Sequence, residues 1–141
     1  MAPPLSADLY VEVQTFYARQ MRALDSGKLE DFAQSFTEDG VMRHVSRDDH
    51  VQGREAILAM LRAGLPAYDG FIPRHWFDKF LIETVDADTV RTDYYAMVTM
   101  TDAKGTVVLQ PTCVVEDELV RVDGTLLLKS RVIRRDDLLL R

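Results

Sequence analysis

Two histidines set among apolar strand residues are the side chains of this chain best suited to proton transfer. His44 falls in a short strand pattern, 41–46, in which Met42, His44 and Ser46 share one face and Val41, Arg43 and Val45 the other. A strand lying against a helical layer would partly desolvate that imidazole and leave it titrating near neutrality, as a general base must. His75 stands in Arg74-His75-Trp76-Phe77, early on a long strand, and shares a face with Phe77, Lys79 and Leu81. If both rings point inward, two imidazoles straddle one substrate, one taking a proton and one giving it. The alternative for each is a structural histidine bonded to neighbouring backbone.

Further residues complete the candidate set. Tyr17 offers a hydroxyl that assists from the pocket, or sits at the rim of a core. Tyr95, Met97, Cys113 and Arg131 line a cavity if their strand faces are the concave ones, and Trp76 supplies shape or dimer contacts. Nothing near Cys113 activates a thiolate. Arg91 and Asp93, two apart on a strand, can form a same-face ion pair. Glu116-Asp117-Glu118 is either a solvated acidic stretch, the favoured reading, or a run with one functional carboxylate in it.

Other chemistries are disfavoured. His44, His50 and His75 lack ligand spacing, so no metal motif is visible, and a single cysteine makes neither a disulfide nor a cysteine zinc site. No glycine-rich phosphate cradle or serine elbow is present. With 17 basic and 23 acidic residues the net charge is −6, which argues against nucleic acid and anionic membranes as partners. No apolar run reaches the ~20 residues of a membrane span. The first five residues carry no secretory signal pattern, so a loose tail and a cytoplasmic protein are expected. The 141 residues read as one domain.

The elements that must position these groups follow from local signals. Ser6 caps a helix whose Leu9, Val13, Phe16, Tyr17, Gln20, Met21 and Leu24 recur at helical spacing, and Gly27 stops it. A shorter helix spans 28–36. Thr37-Glu38-Asp39-Gly40 is turn chemistry, and Arg47-Asp48-Asp49-His50 a polar loop. A third helix starts at Gly53-Arg54-Glu55 and ends near Gly64. Four strands are expected at 72–85, 90–101, 106–122 and 125–133, with Pro111 marking a bulge or unpaired position. Hairpin turns at 102–105 and Asp123-Gly124 connect them. Helices first and strands later is α+β: three N-terminal helices on one curved, mainly antiparallel sheet, a cone enclosing a pocket.

This order, with Phe36-Thr37-Glu38-Asp39-Gly40-Val41 and Gly53-Arg54-Glu55-Ala56-Ile57, resembles the nuclear transport factor 2-like superfamily. Arg74-His75-Trp76 and the ending Arg134-Arg135-Asp136-Asp137-Leu138 make it most similar to the SnoaL-like branch, small proteins of actinomycete polyketide pathways. The resemblance implies that His44 stands where ketosteroid isomerases carry their catalytic aspartate, and that Gln20 replaces their oxyanion-hole tyrosine. An amide donates a hydrogen bond but is no acid, so steroid-type isomerisation is disfavoured. His75 and Asp25 resemble in position a strand histidine and a pocket aspartate of scytalone dehydratase, although helix capping is the favoured reading of Asp25. Arg91-Thr92-Asp93 resembles a limonene epoxide hydrolase motif, whose second aspartate is here replaced, roughly, by Arg131.

Together these readings give a cofactor-independent acid/base enzyme acting on a polyketide-like, oxygenated apolar metabolite. Cyclisation, dehydration or isomerisation next to a carbonyl is the expected reaction. His44 and His75 act with Tyr17, while Gln20, Trp76, Tyr95, Met97, Cys113 and Arg131 contact substrate. The rivals are a non-catalytic binder of a pathway intermediate and an epoxide-opening enzyme. A homodimer is expected, because both faces of the strands are partly apolar.

Overall fold

In the computed structural model, residues 3–139 are described. Ser6 accepts a hydrogen bond from the Leu9 amide (3.0 Å) and opens α1, Ala7–Asp25. Asp8 in its first turn and Arg22 in its last complement the helix dipole. Gly27, at φ +75°, ends it: the Lys28 amide reaches the Ala23 carbonyl (2.8 Å) and the Gly27 amide that of Leu24 (3.1 Å). This Schellman turn leaves Asp25 on the last helical turn and starts α2, Leu29–Gln34, at once. Val13, Tyr17, Gln20 and Met21 are the buried stripe of α1.

The chain then runs through β1 (Phe36–His44), β2 (Asp49–Gln52) and α3 (Arg54–Gly64). The segment 37–40, expected as a turn, belongs to β1 as an irregularity in its pairing with the last strand. A Cβ on Gly40 would lie 2.9 Å from that of Phe36, so only glycine fits this doubling of the chain. The expected polar loop at 47–50 is a single 3-10 turn followed by β2, which pairs antiparallel with β1. Polar residues there mask a strand because it lies at the sheet edge. Gly53, at φ +92°, sends its amide to the Gly40 carbonyl (2.8 Å), and Arg54 Nε donates to the Phe36 carbonyl (2.9 Å). These bonds anchor the start of α3, whose Ile57 is fully buried.

The remaining strands are β3 (Phe71–Thr84), β4 (Thr89–Asp102), β5 (Val107–Leu109), β6 (Cys113–Val122) and β7 (Thr125–Arg135). The sheet order is β2-β1-β7-β6-β4-β3, with β5 also on β4. Among the described residues only β1 and β7 run parallel; the other pairs are antiparallel. The long strand expected at 106–122 is broken at 110–112, where Pro111 cannot donate to a ladder. Asp123 and Gly124 both take positive φ, as a two-residue type I′ turn requires. The expected loose tail is tethered at Pro3, whose carbonyl accepts from the Thr84 hydroxyl; Met1 and Ala2 lie outside the described residues.

Three helices therefore cover one face of a curved, mostly antiparallel sheet. The core between them joins Val13, Tyr17, Met21, Phe32 and Ile57 of the helices to Phe36, Val90, Tyr94, Val115, Leu119 and Leu128 of the sheet. No helix among the described residues is long and apolar enough to cross a membrane.

Candidate functional site

Asp25 and His75 meet where the last turn of α1 lies against the first half of β3. Asp25 Oδ1 is 2.6 Å from His75 Nδ1, and Asp25 Oδ2 accepts from the His75 backbone amide at 3.1 Å. Both side chains are largely buried, at 9% and 15% exposure. Asp25 is thus not the cap expected for it. The Schellman turn handles the helix end through backbone bonds, and the carboxylate is released toward β3. A carboxylate on Nδ1 holds the proton there and leaves Nε2 as the nitrogen available to a substrate.

Phe77, two residues along β3, shares the face of His75. Beyond it the expected alternation fails. Lys79 takes φ +61° and the pairing with β4 shifts between Asp78 and Leu81. Phe80, rather than Lys79 or Leu81, therefore continues the inward face, and Leu81 is 73% exposed. Phe77 and Phe80 pack with Tyr17 and Tyr94, all with ring centroids 4.6–5.7 Å apart.

The deep end of the helix-covered face is filled by a polar network. Arg131 Nε and one terminal nitrogen bind the two oxygens of Asp117, each at 3.0 Å. That nitrogen also donates to Gln20 Oε1 at 2.7 Å. Tyr17 and Tyr94 both donate to Asp117 Oδ2 at 2.7 Å. The single Tyr17 proton being so used, the Thr92 hydroxyl donates to Tyr17. Gln20 Nε2 continues to the Ser35 hydroxyl (2.7 Å), which donates to the Phe32 carbonyl. Burial raises both phenol pKa values well above 10, and the Asp117 charge adds to the effect. Burial would lower the pKa of Arg131, but Asp117 outweighs it and the net shift is upward. Arg131 also lies over the Phe77 ring, 5.4 Å from its centroid.

Tyr17 and Gln20, expected to meet substrate, are accordingly committed to this buried network. Tyr17 cannot serve as an acid while its proton is held by a carboxylate. Asp117, read as part of a solvated run, is the buried member of Glu116-Asp117-Glu118. Its neighbours turn outward to Arg134 and Lys129, as period-two alternation dictates.

His44 shares the inward face of β1 with Met42 but does not share a row with His75. Its row crosses Ile133, Val115 and Tyr94, whereas His75 pairs with Val98. The two rings occupy opposite margins of the sheet, four strand spacings apart. His44 Nδ1 is buried without a hydrogen-bond partner among the described residues. Desolvation, helped by the charge of Arg47, lowers its pKa to about 4. A base poised near neutrality, as expected from sequence, is therefore not what His44 provides; it is a neutral imidazole.

The other candidates divide by face. Cys113 is inward, in the row Phe77–Ala96–Cys113, with burial raising its thiol pKa. Trp76 and Met97 pair directly on the outer face, and Tyr95 is 60% exposed there. The sequence could not say which face was concave; the helices decide it. Trp76 Nε1 donates to Thr99 (3.0 Å) across that outer surface. Arg91 and Asp93 also face outward, flanked by the buried Thr92 and Tyr94. Among the described residues Arg131 meets one carboxylate, where an epoxide-opening triad needs two. No cluster of three or more metal-ligating side chains occurs among them.

Leu24 adjoins Asp25 in the chain and Phe77 shares the face of His75, and both are half-buried against the core, as are Leu61, Ala96, Cys113 and Ile133. Two surface hollows of about 470 and 770 Å³ lie elsewhere, and neither is lined by His44 or His75.

Comparison with known proteins fits this architecture. A search of curated proteins gives no match. Among solved structures, Aln2 from a Streptomyces species is 47% identical over 99% of both chains, with TM-score 0.94. A protein from Catenulispora acidiphila, solved in complex with S-DNPA, is 41% identical over 96% of this chain and 98% of that one (TM-score 0.87). ActVI-ORFA from Streptomyces coelicolor is 34% identical over 94% and 100% (TM-score 0.87). More distantly, a nuclear transport factor 2-like protein with a cystatin-like fold from Novosphingobium aromaticivorans shares the fold (TM-score 0.80). The model of the SnoaL-like domain matches residues 6–132, and the chain belongs to that family.

Proposed function

We propose that this protein is a cofactor-independent acid/base enzyme of the polyketide cyclase type, acting on a fused-ring, oxygenated metabolite of secondary metabolism. The observation that carries this is the largely buried Asp25–His75 dyad at 2.6 Å. His75 Nε2 takes a proton from the carbon next to a substrate carbonyl, and the electron pair moves onto the carbonyl oxygen as an enolate. The same imidazole, now protonated, returns the proton to carbon or gives it to a departing hydroxyl. Proton return to a different carbon is isomerisation, and loss of the hydroxyl as water is dehydration. In cyclisation the enolate carbon instead bonds to a second carbonyl carbon of the substrate, whose oxygen takes the electron pair and then the imidazolium proton. Asp25 holds the tautomer and faces the transient imidazolium. Polar groups fixed in apolar surroundings stabilise such charge without reorganising water.

The relatives support a small-molecule ligand: the Catenulispora protein was captured with S-DNPA. A homodimer is part of the same proposal. Trp76, Leu81, Tyr95 and Leu109 expose apolar surface on the sheet face that the helices leave bare.

The test is hydrogen–deuterium exchange at the α-carbon of a 1-tetralone-type ketone, followed by NMR. Exchange catalysed by the native protein and lost in His75→Ala supports the reading. Exchange unaffected by His75→Ala overturns it. A bound ketone that never exchanges leaves the rival, a binder of pathway intermediates.

A further inference from the structure

We infer a second ligand site, for an amphipathic organic anion, in the groove between α1, α2 and the β6–β7 turn. This hollow of about 770 Å³ is the larger of the two described above. Its apolar floor comes from Phe16, Ala23, Leu126 and Leu127. Arg19, Arg22 and Lys28 line it and are exposed. None of the three has an ion pair, side-chain hydrogen bond or ring contact among the described residues.

The other charges of the groove do not neutralise them. Glu12 is held by two hydrogen bonds from Arg121, at 2.8 and 2.9 Å, which depress its pKa. Asp31 is the remaining acid of the lining. Three unpaired cations against one acid make a local positive field on a chain whose net charge is −6. Apolar floor plus cationic rim selects a ligand with a planar hydrocarbon body and a carboxylate, over a neutral one of the same shape. The groove holds no part of the Asp25–His75 dyad, so the inference stands apart from the proposed activity. It does touch Gln20, whose amide reaches Arg131 on one side and Ser35, also a groove residue, on the other.

The experiment is calorimetric titration of 2-naphthoate, with neutral 2-naphthol as the control, into the full chain. The native protein and His75→Ala bind naphthoate equally. Arg19→Glu/Arg22→Glu binds it at least about tenfold more weakly, while naphthol binding is unchanged by the reversal. Arg19→Gln/Arg22→Gln, a milder change on exposed helix positions, gives an intermediate loss and guards against misfolding of the reversal. Absence of naphthoate binding to the native protein overturns the inference. So does naphthoate affinity indifferent to both double variants, or lost in His75→Ala, which would place the probe at the dyad.

Discussion

Asp25 grips His75 twice, through the ring nitrogen and through the backbone amide of the same residue. One carboxylate therefore fixes the tautomer of the imidazole and the position of the strand that carries it. Asp25→Asn preserves the shape but can present an N–H to Nδ1, which favours the wrong tautomer. Turnover of an accepted ketone should fall by about 10²–10⁴-fold, with the circular dichroism spectrum unchanged. A rate within a few-fold of native would remove the dyad from the mechanism.

Asp117 and Arg131 form a buried pair at 0% and 3% side-chain exposure, and each is further bound by neutral groups. Arg131→Met leaves Asp117 charged, buried and unpaired. A loss of about 3–5 kcal/mol is expected in urea denaturation. Arg131→Met combined with Asp117→Leu should cost clearly less than the two single losses added together, because no orphan charge remains.

His44 gives the protein an acid weakness. Its folded pKa of about 4 lies below the ordinary 6.5. The unfolded chain binds this proton first, so stability is fully present above about pH 6.5 and declines as pH falls toward 4. Because the side chain is only partly buried, the discounted effect is on the order of 1–2 kcal/mol. Between pH 7 and 4.5, His44→Gln should show a shallower loss of denaturation midpoint than the native protein. Parallel curves would mean that His44 gains its proton without penalty.

The outer sheet face carries the prediction on assembly. Sedimentation at micromolar concentration should give a dimer mass, and Trp76→Arg, on an exposed position, should shift it to monomer without unfolding. A native monomer at that concentration removes the proposed interface.

The fold was legible because its punctuation is local. Ser6, Gly27, Gly53 and Asp123-Gly124 mark element ends through their own backbone geometry. The errors came where neighbours far along the chain decide. Polar residues 37–40 and 47–50 read as turn and loop, yet 37–40 and, from Asp49 on, the start of β2 are strand, because β1 pairs with β7 and β2. The dyad joins residues 50 apart, and no local signal distinguishes an aspartate that caps its helix from one that reaches a strand. Period-two alternation put Arg91 and Asp93 of β4 on one face correctly. On β6 alternation alone does not say whether Asp117 or its neighbours Glu116 and Glu118 face the core; Arg131 on the next strand pairs with Asp117 there. His44 was placed on the right face, but its desolvation depends on what packs over it.

The extra residue at Lys79 divides β3 into two lengths that are out of phase. The first, ending at Asp78, presents His75 and Phe77 to the helices; the second, from Phe80, presents the core. Each length keeps its own alternation, so the reactive end of the strand is read in a frame independent of the packing end. Deleting Lys79 alone would merge the frames. With the core holding its half in place, Trp76 would turn inward and His75 outward, and the dyad would vanish although no residue touching it had changed.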